Sequence, residues 1–205
     1  MQQGSLFDLP EPPPALPPGM VYGPEFLSTA EEADLITLLR QLPLAAARYK
    51  DYTARRRVVS YGGSFDYDSN RLLPAEPLPA ALQPWRDRMA AWAGIAPAAL
   101  VHALVAEYAP GTPLGWHRDV PDFEDVIGLS LGAPAVLRFR PYEPGAARRS
   151  RADILAVTAA PRSIYLLRGP ARWQWQHSVA PVAALRWSLT LRTARAGARR
   201  PGAGM

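Results

Sequence analysis

The sequence contains no cysteine among its 205 residues, and it has a single lysine and only three histidines. The absence of cysteine excludes a disulfide-stabilised scaffold, a thiolate zinc site and a cysteine nucleophile. Because Lys50 is the only lysine, nearly all of the basic charge comes from arginine. The three histidines are His102, His117 and His177, so any chemistry that needs imidazole groups depends on these positions.

No segment of the sequence has the pattern of a membrane span or a signal peptide. The span from Met89 to Ala106 carries no formal charge and approaches the ~18 residues of a membrane helix. Gly94 and Pro97 interrupt it, so we predict the end of a helix, a turn and a strand there. The N-terminus has prolines and the acidic Asp8 and Glu11 where a signal peptide would have basic and apolar residues. We expect a soluble, cytoplasmic protein that does not contact a membrane.

The composition indicates a globular protein with an excess of positive charge. Hydrophobic residues make up 48% of the chain, charged residues 20%, and the formal net charge is +5. The length fits one domain, and the positive charge favours an anionic partner such as nucleic acid. The Ala-, Arg- and Pro-rich composition of a GC-rich genome would explain the same charge, so the charge alone does not decide between these interpretations.

The chain divides into one folded region and two tails. We expect residues 1–19 and 195–205 to be disordered and residues 20–194 to form a single domain. Ser28 followed by Glu31 predicts a capping box at the start of a helix, and a second helix is predicted from near Pro79 to Ala93. Seven strand-like runs follow, separated by turn residues: Leu100–Tyr108, Val126–Leu131, Ala135–Arg140, Asp153–Val157, Ser163–Leu167, Trp173–Val179 and Leu185–Thr193. This order predicts an α+β, mainly β fold with helices packed on a β-sandwich or jelly roll.

A candidate metal site is formed by His117, Asp119 and His177. His117 and Asp119 are two residues apart, so on a strand their side chains would project from the same face. His177 follows 58 residues later, and a jelly roll can bring a late strand beside an early one. Two imidazoles and one carboxylate form the facial triad of non-haem Fe(II) oxygenases. A surface pair or a buried, hydrogen-bonded histidine would give the same pattern.

The last predicted strand alternates apolar and polar side chains. Leu185, Trp187, Leu189 and Leu191 alternate with Arg186, Ser188, Thr190 and Arg192, so the two sets face opposite sides of the sheet. Arginine on the inner face of a jelly roll is costly unless an anion pairs with it, and its guanidinium matches a carboxylate. The polar side is therefore either a pocket for an anionic small molecule or the solvated outside of the sheet.

An ordered set of motifs resembles the AlkB family of Fe(II)- and 2-oxoglutarate-dependent dioxygenases. The set comprises Glu107-Tyr108-Ala109-Pro110-Gly111, Trp116-His117-Arg118-Asp119, Ser130-Leu131-Gly132, His177, and RWSLTLR from Arg186 to Arg192. Its order matches the family pattern of H-x-D, a distal His and R-x5-R, over about residues 20 to 194. The resemblance implies a double-stranded β-helix (jelly roll) with two supporting N-terminal helices and a nucleotide-recognition lid.

The resemblance also implies residue roles and a reaction. His117, Asp119 and His177 would be the catalytic Fe(II) ligands, and the 2-oxoglutarate contacts would be Tyr108, Arg186, Ser188, Thr190 and Arg192. With 2-oxoglutarate as co-substrate and O2, the implied reaction is oxidative dealkylation of N-alkylated nucleobases in DNA or, alternatively, RNA, which is direct repair of alkylation damage. Two alternatives remain: the same chemistry on a protein or small molecule, and an inactive jelly roll that binds nucleic acid. The complete triad and the two arginines favour an enzyme.

Residues 52–71 interleave aromatic and basic side chains, which suits a nucleic-acid-binding lid. Aromatic rings stack on bases, and arginines neutralise phosphates. A flipped or single-stranded base is expected, because a base inside a duplex cannot reach a buried metal. The candidate substrate-binding residues are Tyr61, Phe65, Tyr67, Trp116 and Arg118. A buried strand followed by a solvated loop would give the same pattern.

The N-terminal segment contains a possible partner motif. Gln3-Gly4-Ser5-Leu6-Phe7 resembles the short peptides with which bacterial repair proteins bind the sliding clamp, with Gln3, Leu6 and Phe7 as the anchoring side chains. A tail that folds back on its own domain would explain the same residues. Apart from these partners, we expect a monomer.

Overall fold

The structure is a computed structural model that describes residues 15–49, 52–66, 71–143 and 154–197. Its strands are β1 (Met20–Gly23), β2 (Ala45–Tyr49), β3 (Tyr52–Tyr61), β4 (Ser64–Asp66), β5 (Arg71–Leu73), β6 (Leu100–Tyr108), β7 (Leu114–His117), β8 (Phe123–Gly132), β9 (Ala135–Pro141), β10 (Leu155–Ala159), β11 (Ser163–Leu167), β12 (Trp175–Val179) and β13 (Arg186–Ala194). Its helices are α1 (Thr29–Arg40), α2 (Gln83–Ala93) and α3 (Pro170–Trp173), with 3-10 turns at Ala80–Leu82 and Pro97–Ala99.

Most strands belong to two antiparallel sheets. The major sheet has the order β1-β11-β8-β13-β6-β3-β2, and the minor sheet has the order β10-β9-β12-β7. From β8 onward the chain alternates between them: β8, β11 and β13 lie in the major sheet, whereas β9, β10 and β12 lie in the minor sheet. This alternation is the jelly-roll arrangement that the sequence predicts. The β4 and β5 strands form a separate hairpin.

The two faces of the major sheet bury different groups. One face packs on α1 and α2 through an outer cluster that includes Leu35, Leu39, Met89, Trp187 and Leu189. The other face packs on the minor sheet through an inner cluster that includes Tyr108, Val126, Leu137, Phe139 and Val179. The odd-numbered side chains of β13 therefore serve the helix-covered core, and the even-numbered ones face the jelly-roll interior.

The predicted helices form for the expected reasons. The Ser28 hydroxyl accepts a hydrogen bond from the Glu31 backbone amide, and the Glu31 carboxylate accepts one from the Ser28 amide, so the capping box is present. Helix α2 ends at Gly94, whose positive φ of 66° suits glycine. The uncharged span from Met89 to Ala106 is a helix end, a turn and strand β6, as predicted. No helix in the described ranges combines the length and apolar character needed to cross a lipid bilayer.

Residues 17–19, which the sequence assigns to a disordered tail, belong to the folded domain. The carbonyls of Pro17, Pro18 and Gly19 accept hydrogen bonds from the amides of Met20, Ala171 and Arg168, respectively. Proline lacks an amide donor, but its carbonyl still accepts, so these prolines anchor the chain beside α3. At the other end, the Arg195 amide donates to the Asp122 carbonyl, so Arg195, which the sequence also assigns to a disordered tail, contacts the domain. Residues 1–14, which include Gln3, Leu6 and Phe7, lie outside the described residues.

Candidate metal centre and anion pocket

The jelly roll brings His117, Asp119 and His177 together. His117 ends β7 and lies opposite His177 of β12 in the strand register, with 4.2 Å between their ring centroids. The nitrogen and oxygen atoms that the three side chains offer as ligands all lie within 4.8 Å of one another. Contrary to the expectation from the sequence, Asp119 does not share a strand with His117, because β7 ends at His117 and Asp119 follows in the connection to β8. Two imidazoles and a carboxylate this close fit a single Fe(II) ion.

Hydrogen bonding fixes which nitrogen of His117 can bind a metal. The distance from Nδ1 of His117 to the Gly115 carbonyl oxygen is 2.8 Å. A carbonyl oxygen can only accept, so Nδ1 carries the proton and Nε2 keeps its lone pair. Such a contact also restrains the ring, which prepares Nε2 as a ligand.

The carboxylate of Asp119 is oriented by Arg192. Nε of Arg192 donates a hydrogen bond to Oδ1 of Asp119 at 2.8 Å, and Nη2 lies 2.6 Å from the same oxygen in an ion pair. Oδ2 lies 3.6 Å from Nε2 of His177. Burial alone would raise the pKa of Asp119, but the charge of Arg192, with smaller contributions from His177 and His117, lowers it well below its usual range. Asp119 is therefore an anion with one oxygen held and the other directed toward the imidazoles.

The imidazoles are neutral, as metal ligands must be. Burial lowers the pKa of His117, against the opposing effect of Asp119. Burial also lowers the pKa of His177 to about 3, and the neighbouring His117 adds to this shift. Phe139 forms part of the apolar surroundings, with its ring centroid 6.0 Å from that of His177.

An anion pocket lies on the inner face of β13. Arg186 is 1% exposed, its Nε lies 3.3 Å from the Ser130 hydroxyl, and its guanidinium carbon is 4.9 Å from the Tyr108 ring centroid. Nη1 of Arg186 is buried without a hydrogen-bond partner among the described residues. A buried cationic donor left unpaired is costly, so this atom fits a carboxylate ligand such as 2-oxoglutarate offers.

The remaining polar side chains of β13 complete this interior surface. Ser188, Thr190 and Arg192 are buried on the same side as Arg186, and Tyr108 of β6 lies opposite Arg186 in the register. The alternative that this side is the solvated outside of the sheet is therefore wrong. All five residues predicted for the co-substrate line the jelly-roll interior.

The predicted substrate residues separate into different environments. Trp116 is half-buried, and the guanidinium carbons of Arg140 and Arg138 lie 4.2 and 5.3 Å from its ring centroid. Arg118 is exposed; its guanidinium carbon lies 3.6 Å from the ring centroid of Tyr142, and Nη1 donates to the Trp173 carbonyl. Both residues flank His117 and lie at a surface where basic and aromatic groups alternate.

Tyr61 needs a correction, because it does not lie at a substrate surface. It is 6% exposed and packs in the outer cluster between the major sheet and the helices, on the side away from the jelly-roll interior. Phe65 lies in β4, and Tyr67 lies outside the described residues. The lid remains a prediction, with the β4–β5 hairpin as its described part.

Three residues near the metal centre and the anion pocket belong to no recognisable sequence motif. Nδ1 of the buried His102 accepts a hydrogen bond from Nη1 of Arg192 at 3.1 Å. Nη2 of Arg172 donates to the carbonyls of Val120 and Phe123 at 2.7 and 2.8 Å and so ties down the connection that carries Asp119. Tyr165 lies on the inner face of β11. These contacts join residues that are far apart in the chain, and the sequence does not specify which distant residues meet.

Comparison with known proteins places the chain in a family. A family model described as the 2OG-Fe(II) oxygenase superfamily matches residues 19–197. The chain belongs to this superfamily. It is an AlkB-like Fe(II)- and 2-oxoglutarate-dependent dioxygenase, as its motifs predict, and its cofactor set is Fe(II), 2-oxoglutarate and O2.

Several curated proteins resemble the chain over most of its length. An Arabidopsis thaliana protein named "Alkylated DNA repair protein ALKBH8 homolog" is 31% identical over 181 residues, covering 79% of this chain and 51% of the relative. A Xenopus tropicalis protein named "tRNA (carboxymethyluridine(34)-5-O)-methyltransferase alkbh8" is 27% identical over 174 residues, covering 82% of this chain and 26% of the relative. The chain thus spans about half or a quarter of the length of these relatives.

Solved structures show the same fold. The structure of OsALKBH1 superposes with a TM-score of 0.66 at 16% identity, covering 87% of this chain and all of that one. A Pseudomonas putida prolyl-4-hydroxylase gives a TM-score of 0.54 at 16% identity, covering 86% of this chain and 92% of that one. Since these proteins share the jelly roll at low identity, the likeness speaks for the fold and not for a substrate.

Proposed function

We propose that this enzyme removes alkyl groups oxidatively from the nitrogen atoms of nucleobases in DNA or RNA, with Fe(II) bound by His117, Asp119 and His177. The proposal rests on one observation: the three candidate Fe(II) ligands and Nη1 of Arg186, which has no hydrogen-bond partner among the described residues, lie in the same jelly-roll interior. A metal cluster beside a buried cationic pocket suits an oxygenase that takes a dicarboxylate co-substrate.

The protein side chains hold and orient the reactants. Arg186 binds the distal carboxylate of 2-oxoglutarate, and Tyr108, Ser188 and Thr190 supply hydroxyl groups along the same interior. Arg192 keeps Oδ1 of Asp119 occupied, so that Oδ2 faces the metal position. When bound, the Fe(II) centre supplies the activation of O2 that hydroxylates the alkyl carbon. The hydroxylated N-alkyl group then breaks down to an aldehyde and the unmodified base.

Nucleic acid as the substrate is supported by two features. The names of the relatives refer to nucleic acid, and a zebrafish relative 30% identical over 129 residues is named "Probable RNA/DNA demethylase ALKBH6". In this chain, Trp116 packs against Arg138 and Arg140 on the outer face of the minor sheet, and Arg118 packs against Tyr142. Aromatic rings with guanidinium groups suit stacked bases and phosphates. Trp116 and Arg118 are therefore the described residues that we assign to the substrate.

A direct test is mass spectrometry of methylated oligonucleotides. DNA, RNA and tRNA fragments carrying N-methylated adenine or cytosine are incubated with the protein, Fe(II), ascorbate and 2-oxoglutarate. Loss of the methyl group, with equimolar formaldehyde and succinate, is expected from at least one of them and not from the His117→Ala variant. Succinate production without demethylation of any nucleic acid would reject the substrate and keep the oxygenase chemistry.

The N-terminal peptide remains a separate proposal about a partner. If Gln3, Leu6 and Phe7 bind a sliding clamp, the wild-type chain is retained on immobilised clamp and the Phe7→Ala variant is not. Equal retention of the two would remove the idea without affecting the proposed chemistry.

A further inference from the structure

The outer face of the minor sheet carries two arginines and a tryptophan. Leu137 and Phe139 of β9 pack in the inner cluster. Arg138 and Arg140 alternate with them and therefore point to the opposite, outer face. Their guanidinium carbons lie 5.3 and 4.2 Å from the ring centroid of Trp116 on β7, a strand that β12 separates from β9. These three side chains form one stack outside the jelly roll, which we call the outer platform.

A β-bulge turns Trp116 toward this platform. Leu114 packs against the inner cluster and His117 faces the other metal ligands, although the two residues are three positions apart. Over the same stretch β12 is one residue shorter, since Leu114 and His117 pair with Val179 and His177, respectively. The extra residue of β7 forms a bulge, so Trp116 lies on the outer face directly behind the metal ligand His117.

Arg138 has no carboxylate partner in the part of the chain that the structure describes. Its Nε donates to the Ser178 hydroxyl at 3.0 Å, and its Nη1 and Nη2 make no hydrogen bond there. Neither nitrogen is among the buried atoms that lack a partner, so both reach solvent. Arg57 and Arg168 differ, because each of them pairs with a carboxylate. A held guanidinium with two solvent-facing donor groups suits a phosphate.

The rest of the outer face is neutral. The four strands of the minor sheet, LGWH, AVLRFRP, LAVTA and WQHSV, contain no acidic residue. Nε of Arg140 donates to the amide oxygen of Gln176 at 2.9 Å, and Ala156 and Thr158 on β10 are small and exposed. The sheet therefore presents an open face with positive charge, an aromatic ring and no carboxylate of its own.

We propose that the outer platform binds the nucleic-acid strand next to the nucleotide that reacts inside the jelly roll. This inference rests on the proposed nucleic-acid substrate. Arg138 contacts a backbone phosphate, and the stack of Trp116 with the arginines supports an adjacent base. A four-stranded sheet with aromatic side chains on its open face is a general way to bind single-stranded nucleic acid.

The position of β7 lets one strand reach both faces. β7 is the edge strand of the minor sheet, with His117 on its inner face and Trp116 on its outer face. A strand that passes over this edge places its reactive nucleotide at the metal centre and its neighbours on the platform. β9 lies two strands away from β7, about 10 Å, so the platform extends well beyond the reactive nucleotide. Substrates longer than that nucleotide are therefore favoured.

The test measures binding of a labelled single strand of about ten nucleotides that carries an N-methylated base. The full chain is loaded with Mn(II) and 2-oxoglutarate, which prevents turnover, and fluorescence anisotropy is recorded at several salt concentrations. Arg138→Gln should weaken binding about tenfold. It should also reduce the steepness of log K against log salt by about 0.7, the share of one phosphate contact on a single strand. Trp116→Leu should weaken binding about fivefold or more without changing the steepness, because no charge is lost.

Two control variants distinguish a local contact from overall charge. Arg138→Lys keeps the charge and should retain the wild-type salt dependence. Arg86→Gln removes the same charge from α2, which packs on the far side of the major sheet and where Arg86 pairs with Asp87, so binding should not change. Equal losses in Arg86→Gln and Arg138→Gln, or equal losses in Arg138→Lys and Arg138→Gln, would overturn the phosphate contact. Wild-type affinity and salt dependence in Arg138→Gln would overturn the platform and leave an acidic protein segment as the occupant of this face.

Substrate length separates this inference from the proposed function. With Fe(II) in place of Mn(II), the wild type should demethylate the longer strand with a higher kcat/KM than a dinucleotide that carries the same methylated base. Equal kcat/KM for the two substrates would reject the platform and keep the proposed function. Failure of the wild type to bind or demethylate any nucleic acid would reject both.

Discussion

Arg192 contacts a single oxygen of Asp119 with two of its nitrogens: Nε donates a hydrogen bond at 2.8 Å, and Nη2 lies 2.6 Å away as the closest atom of the ion pair. The usual fork places one donor on each carboxylate oxygen. Here the second oxygen, Oδ2, is left facing Nε2 of His177 at 3.6 Å. Arg192 therefore acts as a positioning residue for the metal ligand, since it orients Asp119 without closing off its free oxygen.

The first prediction concerns Arg192→Lys, which keeps the charge but removes the two-point contact. We expect the affinity for Mn(II) or Fe(II) to fall by roughly tenfold to a hundredfold, the usual effect of removing a partner that orients a ligand. Metal titration followed by calorimetry or electron paramagnetic resonance measures this. Arg57→Lys is the matched control, because Arg57 makes a two-point contact with Glu107 on the outer side of the sheet. Equal metal affinity in the two variants would contradict the positioning role.

The second prediction uses the buried neutral state of His102. Burial lowers the pKa of His102 to about 3, with the charge of Arg192 adding to the shift. The unfolded chain binds a proton at this residue below pH 6.5, while the folded chain does not until about pH 3. The free energy of unfolding should therefore fall on acidification from neutral pH. His102→Asn keeps an acceptor for Arg192 but does not titrate.

The comparison of wild type with His102→Asn isolates this one group. Between pH 7 and pH 5, the unfolding equilibrium constant of the wild type should rise roughly tenfold or more relative to that of the variant. Urea unfolding at a series of pH values measures both. His102→Leu, which also removes the acceptor for Arg192, should weaken metal binding, whereas His102→Asn should not. Parallel pH profiles in wild type and His102→Asn would contradict the prediction, because they would mean that His102 has the same pKa in the folded and the unfolded chain.

Local chemistry explains why much of the fold could be predicted from the sequence. The capping box at Ser28 and the turn at Gly94 depend on residues close in the chain, and both form as predicted. β6 and β11 match their predicted ranges, because turn residues bound them on both sides. The alternation in β13 also predicted two different faces, but not which face is inside. That assignment depends on where α1 and α2 pack.

The missing parts depend on contacts between distant residues. β7 is four residues long and is stabilised by pairing with β12. Because the strand is so short, its own residues show no strand pattern in the sequence. Tyr61 is aromatic and lies among arginines in the chain, but its register opposite Ala103 directs it to the helix-covered face. The role of Arg172 appears only when the neighbours of its helix are known.

The third prediction separates the corrected Tyr61 from Trp116. Trp116→Ala should weaken binding of single-stranded DNA or RNA with little change in stability, because Trp116 is half-buried under guanidinium groups. Tyr61→Phe should leave nucleic-acid binding unchanged, and Tyr61→Ala should lower the free energy of unfolding by about 3–5 kcal/mol by opening a cavity in the core. Fluorescence anisotropy with labelled oligonucleotides and urea unfolding measure these effects. Loss of binding in the stable Tyr61→Phe variant would restore Tyr61 as a substrate residue.

The last prediction concerns Arg172, which anchors the connection between Asp119 and β8. Its Nη2 donates to the Val120 and Phe123 carbonyls, and the side chain is buried. Arg172→Met should preserve the apolar packing of the stem but leave both carbonyls without this donor, at a cost of about 1–3 kcal/mol each in stability. Amide hydrogen exchange should accelerate in residues 119–123, and Mn(II) affinity should fall because Asp119 is no longer held in place. Arg86→Met is the control, since Arg86 pairs with its chain neighbour Asp87 away from this connection. Faster exchange with unchanged Mn(II) affinity would show that Arg192 alone is sufficient to position the carboxylate.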